Sequence, residues 1–441
     1  MFRVLQTRSL ACKQLPHIFR SLTSLNSLHL AYSTRAMPPP QWNNEAVYWP
    51  KDGVENLEGY STGGYHPTYI NDEFSNGRYR VVHKLGYGSY STVWLAHDRK
   101  ESRYVALKIV TADVSERSVE SKILQHLQRG GDPNHPGRKY ISSLLDQFSF
   151  KGPNGHHMCL VSEVAGCSVA ESKENSPRFM FSLDIARAIA AQVTMGLAYM
   201  HSLGVGQGVS KISMNSLANL FEVHITRIDK APIQSCAPAH AIIPMNLIIV
   251  PSDQVVNCRV KITDFGSSFF FGKEPLELHT PTALLPPEAF FQDPITPSAD
   301  IWTLGCTLYD ILGERPLFET WADDPDDVIG EMVSTLGKLP KKWWQRWEKR
   351  PEFFLENGSW NPNFKRIQTP EFRPLNQRLW QMGRGETPQI CELQKTEMAS
   401  FKRLLEGMLA YEPLERVSAR EAMESDFMLK WARPALLRLW G

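Results

Sequence analysis

From Tyr79 onward the chain breaks into short runs of β-branched and aromatic residues separated by glycine or charged turns. YRVVHKLG, STVWLAHD and YVALKIV follow one another in this way and predict an antiparallel meander. SVESKILQHLQR places apolar residues at 119, 123, 124 and 127, a helical spacing. MCLVSEV predicts another strand, and SLDIARAIAAQVTMGLAYMHSLG a largely apolar helix opened by Ser182 as its N-cap. Beyond residue 295 the pattern is mostly helical, with loops that carry WADDPDD and ENGSWNPN. Strands first and helices later predict an α+β protein in two lobes.

The first 44 residues differ. They hold Arg3, Arg8, Lys13, Arg20 and Arg35, and the first acid of the chain is Glu45. Serines and threonines alternate there with Phe2, Leu5, Leu10, Ile18, Phe19 and Leu22. This is the composition of a mitochondrial transit peptide; a disordered tail, with the protein in cytoplasm or nucleus, is the alternative. MPPPQW then stops any helix, and residues 45–78, rich in Gly and Tyr, read as a linker.

With 441 residues, 42% of them hydrophobic, and a formal charge of +1, the composition is that of an ordinary globular chain. Near-neutral charge gives no footprint for direct nucleic-acid binding. Seven scattered cysteines without a C-x-x-C pair give no disulfide framework or zinc site. No stretch is long and apolar enough to read as a transmembrane helix.

Three stretches carry chemistry. In LGYGSYSTVWLA, Leu85 to Ala96, Gly86 and Gly88 let a hairpin backbone lie over phosphates without a Cβ in the way. Ser91 stands where a third glycine is usual, and Val93 follows it. In YVALKI, Lys108 sits among Val105, Ala106, Leu107 and Ile109, so its ammonium needs a partner; Glu120, early in the next helix, is the natural one. In VKITDFGSSF, Asp264 ends a strand two residues before Gly266.

In that order, these motifs resemble the eukaryotic protein kinases, and FSNGRYRVVHKLGYGSYSTVWLAHD, HMCLVSEVAG and TPSADIWTLGCTLYDILGERPLFE are similar to the SR-protein kinase branch. The resemblance implies a kinase domain over 79–432, with a β-rich N-lobe (79–166) and a mostly helical C-lobe (167–432). It implies ATP and Mg2+ as cofactors and transfer of the γ-phosphoryl group by a monomer to Ser or Thr of a protein, with one rich in Arg and Ser as the expected substrate. Leu85, Gly86, Gly88, Val93, Ala106, Lys108, Glu163 and Ala165 would then surround ATP, with Lys108 on the phosphates and paired with Glu120. Asp264 and Asn246 would bind the metal, and Glu288 of PPE would pair with Arg416.

One piece is missing. The resemblance places a His-x-Asp motif after the helix that ends in LAYMHSLG, and its aspartate serves the substrate hydroxyl. Read without gaps, the chain has Gln207, Gly208 and Val209 there. A second alignment starts from PMNLIIVPSDQ, which makes Asn246 the metal asparagine and puts His240 and Ala241 at the motif, with a strand after it pairing with VKIT. Neither supplies the aspartate. Residues 207–238 show no clear period and read as an insertion foreign to the fold. Either the catalytic loop has diverged, giving a catalytically silent kinase fold that binds ATP or a partner, or the reading frame retains intron sequence here. Two further features bear on substrate. WADDPDD and Glu319 offer an acidic run for an Arg-rich substrate, against the reading of a solvated loop. GEMVSTLGKLPKKWWQRWEKR resembles a substrate-docking insert, but Trp343, Trp344 and Trp347 fit a helix packed on the C-lobe.

Overall fold

The computed structural model describes residues 47–208, 211–213, 221–245, 249–256, 259–320, 323–363, 371–387 and 390–440. The basic leader 1–44 and Asn246 lie outside the described residues. Six antiparallel strands form the N-lobe sheet: β1 (Glu73–Phe74), β2 (Tyr79–Gly88), β3 (Ser91–Asp98), β4 (Arg103–Val110), β5 (Leu144–Gly152) and β6 (Gly155–Ser162), in the order β1-β2-β3-β4-β6-β5. Along β4, Val105, Leu107 and Ile109 are buried against Tyr79, Val81, Trp94 and Val161. By the two-residue period of a strand, Ala106 and Lys108 turn to the other face.

After a single turn, α1 (Ala112–Ser115), helix α2 (Glu120–Arg129) packs Ile123, Leu124 and Leu127 against Ile262 and Phe265. Its first residue is Glu120, so the helix that covers the sheet also delivers the carboxylate beside Lys108. The C-lobe follows, with α3 (Val169–Glu174), α4 (Leu183–Ser202), α5 (Pro287–Phe290), α6 (Ser298–Leu312), α7 (Pro325–Leu336) and α8 (Lys341–Arg346). Helix α4 is apolar nearly all round because it runs through the core, where Ile189, Val193 and Leu197 join Trp302, Leu308 and Phe401. Ser182 is its N-cap residue, but its hydroxyl makes no capping bond.

The described part of the expected linker, from residue 47 on, is packed. Tyr48, Val54, Leu57, Tyr60 and Tyr65 are buried together with Ile225, Ala237 and Ala241. Glu55 is buried too, and takes hydrogen bonds from the Lys84 ammonium and the Tyr60 hydroxyl. Its tyrosines, which looked like linker content, are the apolar anchors of this layer.

Of 207–238, expected to be foreign to the fold, the described residues Ile225 and Ala237 share in this layer. The chain passes through β7 (Val205–Gly206), β8 (Lys211–Ser213), β9 (Phe221–His224) and β10 (His240–Ile243). β8 pairs antiparallel with β11 (Lys261–Thr263), the place expected for the strand after Asn246. β9 and β10 pair with each other, Ile242 enters the N-lobe core, and the Met245 N–H reaches the Lys84 carbonyl at 2.8 Å. The described residues of this segment are held by contacts with residues far away in sequence, which a local pattern does not reveal.

Trp343, Trp344 and Trp347 are buried with Ile329, Val333 and Phe354, as a packed helix requires. In the acidic run, Asp326 accepts from the Trp347 indole at 2.7 Å and pairs with Lys349 at 2.8 Å, and Asp324 caps α7. These carboxylates are spent within the fold; residues 321 and 322 lie outside the described residues. Glu288 and Arg416, both fully buried, form two hydrogen bonds of 2.8 and 2.6 Å.

Candidate active site

The site grows from strand and helix ends facing the gap between the lobes. Lys108 of β4 donates to Glu120 at 2.9 Å and to Asp264 Oδ1 at 2.9 Å. Burial works against the ammonium's charge, but the Asp264 and Glu120 carboxylates outweigh it and hold the pKa above the ordinary lysine value. Lys108 is therefore a fixed cation. Glu120 is 6% exposed and Asp264 53%, so one carboxylate belongs to the protein interior and the other opens to solvent.

Asp264 adopts left-handed backbone angles, φ 62° and ψ 76°, uncommon for a residue with a side chain. Phe265, buried against α2, holds that turn from behind. A Cβ on Gly266 would lie 3.5 Å from Asp264 Oδ1, 3.6 Å from Lys108 Nζ and 3.7 Å from Glu120 Oε2. The glycine keeps the backbone against all three charged groups.

Above them is the hairpin of β2 and β3. A Cβ on Gly86 or on Gly88 would meet nothing within 4 Å, so the protein leaves that side open. The hairpin tip is pinned from outside, where the Tyr65 hydroxyl donates to the Gly88 carbonyl at 2.8 Å. The sequence gives no local signal for this contact, because Tyr65 lies in the segment read as a linker. Leu85 sits at an irregularity in the β2–β3 register, and Val93 is the cross-strand partner of Lys108. Leu85 and Val93 are half-buried and Ala106 is buried. Ala106 pairs with Ser162, and the chain leaves β6 through Glu163, Val164 and Ala165. The Glu163 carboxylate is bound to Lys261 of β11. The structure thus brings Lys108, Glu120 and Asp264 into contact and lays Val93 beside them.

The geometry after α4 separates the two alignments. The Gln207 and Gly208 N–H groups donate to Asp300 of α6, at 2.8 and 3.1 Å, and His201 Nε2 is 2.9 Å from the same carboxylate. Ser268 and Thr280 donate to the Gln207 and Gly208 carbonyls. Gly208 has φ +71°, and a Cβ there would fall 2.5 Å from the Ser267 carbonyl oxygen. The turn next to the Asp264 segment is therefore built from Gln207 and Gly208. His240 and Ala241 lie elsewhere, on the β9–β10 hairpin, with the His240 ring against Tyr69 and Ala241 among the tyrosines of residues 47–65. Val209 lies outside the described residues.

A metal fits this set. Among the described residues no group of three or more His, Cys, Asp or Glu gathers as a metal site. Mg2+ does not need one, since it takes one or two carboxylates together with phosphate oxygens and water. Asp264, half open to solvent, is such a carboxylate.

Comparison with known proteins agrees with this architecture. The family model of the protein kinase domain matches residues 79–206 and 242–428. The chain is similar to protein kinase dsk1 of Schizosaccharomyces pombe, with 45% identity over 154 residues, 34% of this chain and 28% of that protein. It is similar to SRSF protein kinase 3 of Homo sapiens, with 38% identity over 169 residues, 38% of this chain and 30% of that one. The likeness to the serine/threonine-protein kinase SRPK of Physarum polycephalum is weaker, 27%, but longer: 408 residues, 85% of this chain and 91% of that protein.

Proposed function

The chain belongs to the protein kinase domain family, and on that footing we propose that it is an ATP-dependent serine/threonine kinase of the SR-protein kinase type. The observation that carries this reading is the Lys108 ammonium held between Glu120 and Asp264 beneath an open glycine hairpin. ATP supplies the phosphoryl group, and Mg2+ offsets the charge on its oxygens. Lys108 would bind phosphate oxygens, with Glu120 keeping it in place. Asp264 would hold the metal. Gly86 and Gly88 would admit phosphates close to the backbone, while Leu85, Val93, Ala106 and the 163–165 stretch would border the base.

Ser or Thr in an Arg-rich setting is the substrate class that the likeness to the SR-protein kinase branch favours. The leader 1–44 favours delivery to mitochondria, which would exclude nuclear proteins as substrates. Imaging a fusion that leaves residues 1–44 free tests that part.

A second reading has its own observation. Gln207 and Gly208 occupy the turn where the resemblance places His-x-Asp, and the next residue is a valine, which accepts no proton. The chain would then bind nucleotide and act as a scaffold. Thermal-shift titration with Mg-ATP, beside a phosphotransfer assay on an Arg/Ser peptide, distinguishes the readings. Stabilisation lost in Lys108→Ala, with transfer above that variant's, supports the kinase. Stabilisation without transfer supports the scaffold. No stabilisation of the unmodified chain overturns both.

A further inference from the structure

We propose that the N-terminal end of α4, away from the cleft, is a binding site for a phosphate-class oxyanion. Arg384, Arg178, Ser182 and Leu183 line a cavity of about 210 Å3 there, with Asp253 and Glu392 also on its wall. Arg384 is 3% exposed. Its Nε donates to the Leu312 carbonyl at 2.6 Å and its Nη1 to Glu392 at 3.2 Å, while its Nη2 is buried and has no partner among the described residues. A guanidinium does not shed its proton, so a buried N–H pair in need of an acceptor remains.

The helix supplies the second half of the site. α4 runs for 20 residues, and the first N–H groups of a helix have no partner within it. Ser182, the residue placed to cap them, makes no capping bond. Asp184, the acid of the first turn, is spent on Arg187 at 2.8 Å and Arg438 at 2.9 Å. The positive end of a long helix therefore meets an unsatisfied guanidinium in one cavity, the arrangement that takes phosphate or sulfate-like groups. Burial draws the Arg384 pKa down, the Glu392 carboxylate raises it, and the neighbouring Arg178 and Arg187 lower it.

Asp253 and Glu392 set the carrier. Asp253 accepts from the Ser176 hydroxyl at 2.9 Å, and Glu392 is half-exposed. With two carboxylates beside the two arginines, a bare anion is attracted less strongly than one that brings a cation with it. An anion that carries a cation beside it, such as a phosphoserine next to an arginine, would satisfy both sets.

The test measures binding by equilibrium dialysis, with inorganic phosphate and with a phosphoserine peptide flanked by arginine, in the full chain and in Lys108→Ala. Expected is saturable one-site binding that survives Lys108→Ala and weakens about tenfold or more in Arg178→Gln, an exposed position that does not hold the fold. Tighter binding of the peptide identifies a carried phosphate, and equal binding a free one. Absence of saturable binding, or binding untouched by both Arg178→Gln and Arg384→Gln, overturns the site. So does a crystal soaked in phosphate that shows only water on Arg384 Nη2. No step of this test needs phosphotransfer, so its failure and that of the kinase reading are separate.

Discussion

The backbone N–H of Gln207 donates to the Asp300 carboxylate at 2.8 Å. The partner oxygen of that carboxylate takes the N–H of Gly208. One buried aspartate on α6 therefore fixes the register of the chain as it leaves α4, just before Val209. In sequence, the next position, 209, is the one the resemblance assigns to the acid that serves a substrate hydroxyl.

This makes Val209→Asp a direct test of the missing group. A positioned general base contributes about 10²–10⁴ in rate. Phosphotransfer to an Arg/Ser peptide is expected to rise by on the order of 10²-fold, with Mg-ATP affinity unchanged because Lys108, Glu120 and Asp264 are untouched. Rates equal to the parent chain's would show that the turn does not present residue 209 to the substrate.

Asp264→Asn probes the metal. The substitution keeps the size of the side chain and removes the charge that a hard cation needs. Nucleotide binding by the variant, followed by thermal shift, should no longer strengthen as Mg2+ is added. A Mg2+ response like the parent's would take Asp264 out of the metal site. The variant also frees Lys108 from one of its two carboxylates, so binding without metal should change little or improve.

The site and the strands that carry it were legible in the sequence to different degrees. The apolar run around Lys108 read as a strand carrying a lysine in need of a partner, because strand composition is local. That Lys108 turns away from buried Val105, Leu107 and Ile109 is seen only in the structure. Glu120 followed from the charge balance of a lysine in an apolar run. The layer made by residues 47–65 with Ile225, Ala237 and Ala241 was not legible, since none of its parts has a period and each is buried only by the others. Ser182 shows the opposite case. Its type and place read as a capping residue, but no bond forms, and only coordinates reveal that.

Whether the inserted segment is part of the working fold is open to measurement. Ala241 is 2% exposed and packs in the layer that also holds Tyr48 and Tyr65. Ala241→Asp would bury an unpaired carboxylate there, at a cost on the order of 4 kcal/mol. A melting temperature several degrees below the parent's is expected, by circular dichroism. An unchanged value would mean that the β9–β10 hairpin is dispensable to the fold.

The last prediction concerns acid. The His66 ring lies against Phe150, Phe74 and His157, with centroids 4.8, 5.9 and 5.1 Å away, and its Nδ1 is 3.1 Å from the Thr68 hydroxyl. Burial, then the neighbouring His157, lowers its pKa from 6.5 to about 3. Burial lowers that of His157 as well. The His66 ring is therefore neutral in the folded chain near neutral pH. Below pH 6.5 the unfolded chain takes up protons that the folded one refuses, so stability falls with falling pH between the unfolded value of 6.5 and the folded value of about 3. Above that window His66 has no effect on the slope. Replacing it with phenylalanine keeps an aromatic ring among Phe74 and Phe150 and removes the titration. Melting temperatures of His66→Phe should decline less steeply than the parent's from pH 6.5 downward and run parallel to them at higher pH. Identical slopes for the two proteins through the acid range would show that His66 is free to take its proton in the folded state.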